Sequence, residues 1–350
     1  MHSFLQHISN AVKPGMSRPP TDPIDTHSLS AALIAWREGG SFRHWRGHRV
    51  FYKVAGSGPV LLLVHGYPVG SYDWHTVWDM LAAHYTVIAP DMLGFGFSDK
   101  PHDAGYGLSL HADLYEHLLA MLGIKRFHVM AHDLGVSIVQ EMLARRERFH
   151  DMPHIDSIVM LNGAVCPDAY RPRFIQRLLA SPLGEFIGPR VPKGAFESTL
   201  KGLFGTNSPP GRELVDDFWS LLAHQNGRRV THATGALWRE RIAVQARLVG
   251  ALLRSSAPLR LINGGADPNS GQHMMEAFLR LQSDADIVHL RDTGHWPQIE
   301  RPVEVATSAH QFFSHHAPTR ALTRQCSSDQ GAPQMMPELR SYSPWPWRWR

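Results

Sequence analysis

The chain is poor in cysteine and has no long apolar run. It contains only Cys166 and Cys326 among 350 residues. Two thiols so far apart in sequence predict neither a disulfide framework nor a metal site, and they favour a reducing compartment, so we expect a cytoplasmic protein. The N-terminus lacks a basic region followed by an apolar segment, and no apolar run approaches the thickness of a bilayer. We therefore expect neither a signal peptide nor a membrane span.

Charge of one sign is also scarce. The formal net charge is +4, and no basic stripe interleaved with aromatic residues runs through the body of the chain. Nucleic-acid binding is therefore not expected. With 43% hydrophobic and 19% charged residues, the composition is typical of a globular protein with a core. The length allows one large α/β domain with a smaller insertion, and it leaves the oligomeric state open.

From residue 60 onward, short apolar runs alternate with segments of helical periodicity. This alternation predicts a mostly parallel, doubly wound α/β sheet with ligands at the carboxyl ends of its strands, preceded by a hairpin at 42–54.

The alternation stops after residue 161 and resumes at 259, which predicts an inserted helical cap. The expected parts are a poorly ordered tail at 1–35 (although 29–36 has the pattern of a short helix), core at 36–164, cap at 165–251, core at 252–316 and a disordered tail at 317–350. Expected strands are 60–64, 85–89, 127–130, 155–161, 259–262 and 287–290, and expected helices are 71–82, 108–122, 134–143 and 303–313.

Asp133 stands at a predicted strand-to-helix turn, flanked by the small residues Ala131 and Gly135. This is the nucleophile-elbow pattern with Asp where Ser is usual. The following helix N-terminus stabilises a negative charge there. A carboxylate that attacks a saturated carbon forms an ester that water can cleave, whereas attack on an ester carbonyl would form a strained anhydride. Asp133 therefore favours epoxides or alkyl halides over esters, unless it only caps the helix.

Three further segments supply partners for Asp133. His65-Gly66-Tyr67-Pro68 follows a strand, and the backbone N–H groups of Tyr67 and Leu134 are expected to form an oxyanion hole, unless the segment is a plain loop. Asp267 and His295 follow the last two strands. The chain order nucleophile, acid, base at strand ends predicts a catalytic triad. A lone histidine at such a position would otherwise be a core or surface residue.

The predicted cap offers aromatic and histidine side chains for a substrate wall, together with Trp296 beside the expected base. Each of them is alternatively a packing residue. The Gly-rich loop 91–101 has neither dinucleotide-binding nor P-loop spacing, so we expect it to pack beside the site and expect no cofactor and no metal. The wall candidates are Tyr170, Phe204, Phe218, Trp219, His224, His232 and Trp238.

Residues 36–315 resemble the α/β-hydrolase superfamily, in the branch that holds epoxide hydrolases and haloalkane dehalogenases. Stretches at 71–74, 93–101 and 202–203 are closer still to the mesoderm-specific transcript protein group, which is hydrolase-like without a settled substrate. The resemblance implies the fold and an Asp nucleophile. It is carried by the motifs 65–68, 91–101, 131–135, 265–268 and 294–298.

The departures from that branch bear on the substrate. Leu134 replaces the halide-holding Trp of haloalkane dehalogenases, and Tyr67 stands where many of them have Asn. The Arg that follows the nucleophile in fluoroacetate-type enzymes is also missing. Epoxide hydrolases usually have two cap tyrosines, whereas this cap has only Tyr170. His224 or His232 is the alternative acid.

The resulting hypothesis is a cofactor-independent hydrolase that forms a covalent ester on Asp133. His295, oriented by Asp267, then activates water to cleave that ester. The expected partner is a small apolar substrate, and epoxide hydrolysis is favoured. The alternatives are haloalkane dehalogenation, ester or lactone hydrolysis with Asp133 as a base on water, and a non-catalytic protein that binds a small ligand.

Overall fold

A computed structural model of the chain describes residues 29–149 and 151–316. Its centre is an eight-stranded sheet in the order β1-β2-β4-β3-β5-β6-β7-β8. The β1–β2 and β2–β4 pairs are antiparallel, and all the other pairs are parallel. This confirms the predicted α/β-hydrolase architecture. The strands are β1 Gly40–Trp45, β2 His48–Ala55, β3 Val60–Val64, β4 Thr86–Pro90, β5 Arg126–Asp133, β6 His154–Gly163, β7 Leu259–Gly264 and β8 Asp286–Leu290.

Helices cover the sheet and form the segment between β6 and β7. Short 3₁₀ turns lie at Ser71–Trp74, Pro167–Ala169, Gly188–Arg190 and His224–Arg229. The α-helices are α1 Ala31–Glu38, α2 Trp78–Ala82, α3 Leu108–Met121, α4 Leu134–Arg146, α5 Phe174–Leu179, α6 Gly184–Ile187, α7 Lys193–Lys201, α8 Arg212–Ala223, α9 Thr231–Thr234, α10 Leu237–Ala243, α11 Gln245–Arg254, α12 Gln272–Leu281, α13 Pro297–Glu300 and α14 Pro302–His315. Within the described ranges, every helix falls short of the length and apolarity needed to cross a membrane.

The strands are buried as their apolar runs predict. Every residue of β3 and β4 is buried, because a parallel strand at the centre of such a sheet is covered on both faces. The predicted hairpin is present, with Trp45 paired to His48. Its turn residues Arg46 and Gly47 both have positive φ, 49° and 82°, as a two-residue turn that matches the strand twist requires.

The expected N-terminal tail is too long by several residues. Ser30 caps α1 by accepting a hydrogen bond from the backbone N–H of Leu33 at 3.2 Å. Leu33 and Trp36 are buried, and the indole of Trp36 donates to Ser71 Oγ at 3.2 Å. The short helix pattern therefore belongs to the folded unit because its apolar face packs on the core. Residues 1–28 of the predicted tail, and the whole tail at 317–350, lie outside the described residues.

The predicted helix at 71–82 is wrong as a single element. The structure has a 3₁₀ turn, an interruption and then the short α2. Tertiary contacts explain the break. The buried carboxylate of Asp73 accepts from the backbone N–H of Gly66 at 3.4 Å and from the indole of Trp296 at 3.2 Å, and Thr76 Oγ1 donates to the carbonyl of Gln298 at 2.6 Å. These bonds outweigh helical periodicity in the segment.

The inserted segment is helical in the described residues, with no strand between β6 and β7. Its predicted end at residue 251 needs correction, since α11 packs against α4 instead of over the sheet edge. Leu248, Ala251 and Leu252 are buried in the same core cluster as the apolar face of α4. Arg247 also pairs with Glu141 of α4. We therefore propose that the cap ends near Val244, where α11 begins.

Candidate active site

Asp133 lies at the sharp turn where β5 ends and α4 begins. Its backbone has φ 49° and ψ −111°, a strained conformation for a residue with a side chain. The turn leaves no room beside it, since a Cβ on Gly135 would lie 2.2 Å from the carbonyl oxygen of Val64. The side chain of Asp133 makes no capping hydrogen bond to α4. The interpretation of Asp133 as a mere helix cap is therefore wrong.

The structure brings the three predicted triad residues into contact. His295 Nδ1 donates to Asp267 Oδ2 at 2.8 Å, and His295 Nε2 lies 3.5 Å from Asp133 Oδ2. Asp267 is held in place by the side-chain amide of Asn162 at 3.0 Å and the hydroxyl of Ser270 at 2.6 Å. The carboxylate of Asp267 thus fixes the tautomer of the imidazole and turns Nε2 toward Asp133.

The triad forms a buried system of alternating charges. Burial alone would raise the pKa of the Asp133 carboxyl, but the adjacent imidazole of His295 and the charge of Arg241 reverse this and lower the pKa below its usual range. Burial alone would lower the pKa of His295, but the charge of Asp267 and the contact with Asp133 raise it to about 10. At neutral pH these shifts favour an ionised Asp133 beside a protonated His295.

One of the two expected oxyanion donors contacts Asp133. The backbone N–H of Tyr67 donates to Asp133 Oδ1 at 2.9 Å. A Cβ on Gly66 would lie 2.5 Å from the Cβ of Asp133, so only glycine lets this segment approach the carboxylate. The N–H of Leu134, the other expected donor, makes no such bond to Asp133 in the described part of the chain. It belongs to the first turn of α4, where N–H groups have no partner within the helix.

A cavity of about 100 Å³ lies beside the triad, between the carboxyl ends of the strands and the inserted helical segment. Eight predicted site residues line this cavity, whereas Asp267 lies behind His295. The wall candidates Phe204 and Phe218 do not line it, because their rings pack against Trp296. His224 and His232 do not line it: His224 packs its ring on Phe97, and His232 is bound to the carbonyl of Arg229. The predicted residues on the wall are Tyr67, Asp133, Leu134, Tyr170, Trp219, Trp238, His295 and Trp296.

The hydroxyl of Tyr170 has a defined hydrogen-bonding pattern. The backbone N–H of Arg173 donates to Gln176 Oε1 at 2.7 Å, which orients that amide so that its Nε2 donates to the Tyr170 oxygen at 3.0 Å. Asn269 Nδ2 donates to the same oxygen at 3.1 Å. Since both lone pairs of the phenol oxygen accept hydrogen bonds, its O–H remains free to donate. Burial raises the pKa of Tyr170 to about 12, so the phenol is protonated at neutral pH.

Sequence reasoning missed several residues around the cavity. Arg241 is buried in α10, with its guanidinium carbon 3.9 Å from the centre of the Tyr170 ring. Gln176 and Asn269 orient the Tyr170 hydroxyl. Only Asn269 had a local signal, because it lies two residues after Asp267 in a predicted site loop. His132 Nε2 forms a hydrogen bond of 2.8 Å with the backbone carbonyl of His295, which holds the loop that carries the catalytic candidate His295.

The Gly-rich loop at 91–101 folds around Asp91. Its carboxylate accepts from the backbone N–H of Ser71 at 2.5 Å and from that of Phe97 at 2.7 Å. The loop is therefore closed by the backbone N–H of Phe97 within it and is tied to the preceding 3₁₀ turn by that of Ser71. In residues 29–149 and 151–316, no group of three or more His, Cys, Asp or Glu side chains has the arrangement of a metal site.

The fold, the elbow and the triad together define a class of protein, and sequence comparison agrees. Residues 61–308 match the alpha/beta hydrolase family, and the chain belongs to it. It is 32% identical over 294 residues to the mesoderm-specific transcript protein of Mus musculus, covering 80% of this chain and 87% of that protein. It is also 32% identical over 281 residues to the putative hydrolase LipZ of Mycobacterium tuberculosis, covering 80% and 97%.

Solved structures agree on the fold. Haloalkane dehalogenase DbeA from Bradyrhizobium elkani superposes with a TM-score of 0.67 at 22% identity, over 79% of this chain and 98% of that one. Epoxide hydrolase CorEH superposes with a TM-score of 0.63 at 20% identity, over 79% and 98%. The predicted resemblance to the α/β-hydrolase superfamily and to the mesoderm-specific transcript group is thus confirmed, and the solved structures of the predicted branch share its fold. Since both activities occur on nearly equal matches, the substrate has to be argued from the site.

Proposed function

We propose that this hydrolase opens a small, largely apolar epoxide through a covalent ester on Asp133. The observation that carries the proposal is the free O–H of Tyr170 on the wall of the cavity that Asp133 and His295 also line. An epoxide needs both a nucleophile on carbon and a proton for the departing oxygen. Asp133 and Tyr170 are the pair that would supply them.

In the first step, Asp133 Oδ2 attacks a ring carbon and the C–O bond of the epoxide breaks. Tyr170 gives its proton to the departing oxygen. Oδ2 is the attacking atom because Oδ1 is already held by the backbone N–H of Tyr67. The product of this step is an ester between Asp133 and a hydroxyalkyl group, and it carries no negative charge on Asp133.

The loss of that charge prepares the second step. With Asp133 neutral, the pKa of His295 falls from about 10 toward its ordinary value, and its Nε2 becomes available as a base. The proton that His295 releases restores the hydroxyl of Tyr170. His295 then takes a proton from water, and the hydroxide attacks the ester carbonyl. The oxyanion forms at Oδ1, beside the N–H of Tyr67. Its collapse breaks the bond between the carboxyl carbon of Asp133 and Oδ2, and the departing alkoxide takes the proton of the new carboxylic acid. The products are a diol and the carboxylate of Asp133.

An epoxide accounts for the cavity better than an alkyl halide. Leu134 offers a hydrocarbon side chain where a halide would need an N–H donor. A departing halide also needs no proton, so the arrangement of Gln176 and Asn269 around Tyr170 would serve no purpose. His224 and His232, the alternative acids, lie away from the cavity wall. Tyr170 is therefore the acid that we propose.

Trapping the ester tests the proposal. A His295→Gln variant keeps the nucleophile and lacks the base, so incubation with styrene oxide should add the mass of one epoxide to the protein. Peptide mapping should place the adduct on Asp133. The Asp133→Asn, His295→Gln double variant is the matched control and should add nothing. An adduct on another residue, or no adduct with styrene oxide and a panel of aliphatic epoxides, would refute the proposal. Adducts formed from 1-bromohexane but from no epoxide would favour dehalogenation instead.

A further inference from the structure

Arg241 is a buried cation that has no hydrogen-bonded anionic partner among the described residues. Its side chain is 2% exposed, and its Nε is buried without a hydrogen-bond acceptor. No hydrogen bond or ion pair to Arg241 is formed by any residue in the described ranges. Its guanidinium carbon lies 3.9 Å from the centre of the Tyr170 ring, and its charge lowers the pKa of Asp133. Contact with a ring face stabilises the positive charge, but it provides no acceptor for the N–H groups of the guanidinium.

Such a residue is unfavourable for the fold alone. A buried charge without a hydrogen-bonded partner costs free energy, and charged side chains are rarely fully buried unless they are paired. The other buried acidic and basic groups around the triad do have partners: His295 lies between Asp133 and Asp267, and Asp73 accepts from Trp296. Arg241 stands out because no described residue hydrogen-bonds to its guanidinium, although its charge acts on Asp133.

Arg241 lies on the cavity wall. Arg241 lines the cavity together with Asp133, Tyr170 and Trp238. Trp238 lies three residues earlier in α10, so the two side chains share a face of that helix. The indole Nε1 of Trp238 is likewise buried without an acceptor. Two residues that each carry an N–H group without an acceptor therefore lie on one wall of an otherwise largely apolar cavity.

We infer that Arg241, assisted by Trp238, binds a carboxylate group of the substrate. The planar fork of the guanidinium matches the two oxygens of a carboxylate, and the indole N–H adds a third donor. The cation would also offset the repulsion between an anionic substrate and the carboxylate of Asp133. The inference rests on the proposed function for the reacting group, and it narrows the substrate to an epoxide with an apolar body and a carboxylate end.

A binding measurement separates this inference from the chemistry of Asp133. Calorimetric titration with hexanoate and with hexanamide compares two ligands of nearly equal shape that differ in charge. We expect hexanoate to bind about 10- to 100-fold more tightly, the range given by one or two charge-assisted hydrogen bonds. Arg241→Met should abolish that preference. Arg241→Lys should restore part of it, because the charge returns without the fork.

The matched control is Arg212→Met, which removes the same charge from an exposed position of α8 outside the cavity. It should leave the preference for hexanoate intact, and Trp238→Phe should reduce it.

Thermal unfolding of Arg241→Met should occur at or above the temperature of the wild type, because the variant no longer buries an unpaired charge. Equal binding of both ligands, binding of neither, or a preference that survives in Arg241→Met would overturn the inference. So would displacement of hexanoate by equimolar bromide, which would indicate a halide site.

Turnover supplies a second readout. We expect Arg241→Met to raise KM for 3-phenyloxirane-2-carboxylate about 10- to 100-fold and to change KM for the corresponding carboxamide little. An equal loss of kcat on both would contradict carboxylate binding and assign Arg241 to the acidity of Tyr170. If the ester on Asp133 cannot be trapped but hexanoate binding still depends on Arg241, the proposed function fails and the binding site stands.

Discussion

The backbone N–H of Tyr67 donates a hydrogen bond of 2.9 Å to Oδ1 of Asp133. This bond makes the two oxygens of one carboxylate different before any substrate arrives. Oδ1 faces a fixed donor, whereas Oδ2 lies 3.5 Å from His295 Nε2. In the proposed mechanism Oδ1 therefore stays in place through both steps, and Oδ2 is the oxygen that leaves with the product.

Gly66→Ala should disable the site. The added Cβ would lie 2.5 Å from the Cβ of Asp133, so the carboxylate or the Tyr67 segment has to move. We expect a loss of stability of about 1–3 kcal/mol, typical of overpacking, and a large fall in kcat. Gly194→Ala is the control, because a Cβ there meets nothing within 4 Å and lies in α7, where alanine favours the helix. Thermal unfolding and turnover of both variants check this, and an active, stable Gly66→Ala enzyme would contradict the described geometry.

Tyr170→Phe removes one hydroxyl and keeps the ring on which Arg241 lies. Loss of a positioned acid should reduce kcat on epoxides by about 10²- to 10⁴-fold. Tyr106→Phe is the control, because that hydroxyl donates to the carbonyl of Pro101 and lies outside the cavity. Steady-state kinetics on one epoxide gives the comparison. Unchanged turnover in Tyr170→Phe would assign protonation to another group or to water.

The protonation of His295 should depend on Asp133. In the folded chain its pKa is raised from 6.5 to about 10, in part by contact with the Asp133 carboxylate. Asp133→Asn removes that negative charge, so the pKa of His295 should fall. The measurement is an NMR titration of ¹⁵N-histidine-labelled protein, with the His295 signal assigned from the His295→Gln variant. A pKa that is the same in both proteins would show that Asp267 alone holds the proton.

The same pKa predicts how stability depends on pH. Because the folded-state pKa of His295 lies above its ordinary value, its contribution to stability is fully present below about pH 6.5 and is lost as pH rises through about 10. The free energy of unfolding should therefore fall over this interval, and it should fall less in His295→Gln. Denaturant titrations at several pH values test this. Parallel pH profiles for the two proteins would contradict the charged triad.

The convergence of Asp133, Asp267 and His295 could be predicted because each follows a strand, and parallel strands end at one edge of the sheet. The alternation of apolar runs likewise predicted β3 to β8. Residue 251 was a poor boundary for the cap because α11 has the same helical pattern as the cap helices, and only packing on α4 distinguishes it. The break in 71–82 depends on Gly66, Trp296 and Gln298, which are remote in sequence.

Arg241 had no signal in the sequence. It is one of 35 lysines and arginines, and nothing in the local pattern of α10 separates it from exposed Arg239. Its burial depends on how the cap lies over the sheet, which periodicity does not specify. Tyr170 was easier to predict because it is the only tyrosine of the cap. Cytoplasmic location, independence of cofactors and a small-molecule substrate stay predictions.

The most direct test of the account is a single-turnover reaction in water labelled with ¹⁸O, with enzyme in excess over epoxide. We predict an unlabelled diol and one labelled oxygen in Asp133, because the product oxygen comes from Oδ2 and water replaces it. Label in the diol of the first turnover, with none in Asp133, would mean that water attacks the substrate directly and would contradict the covalent route.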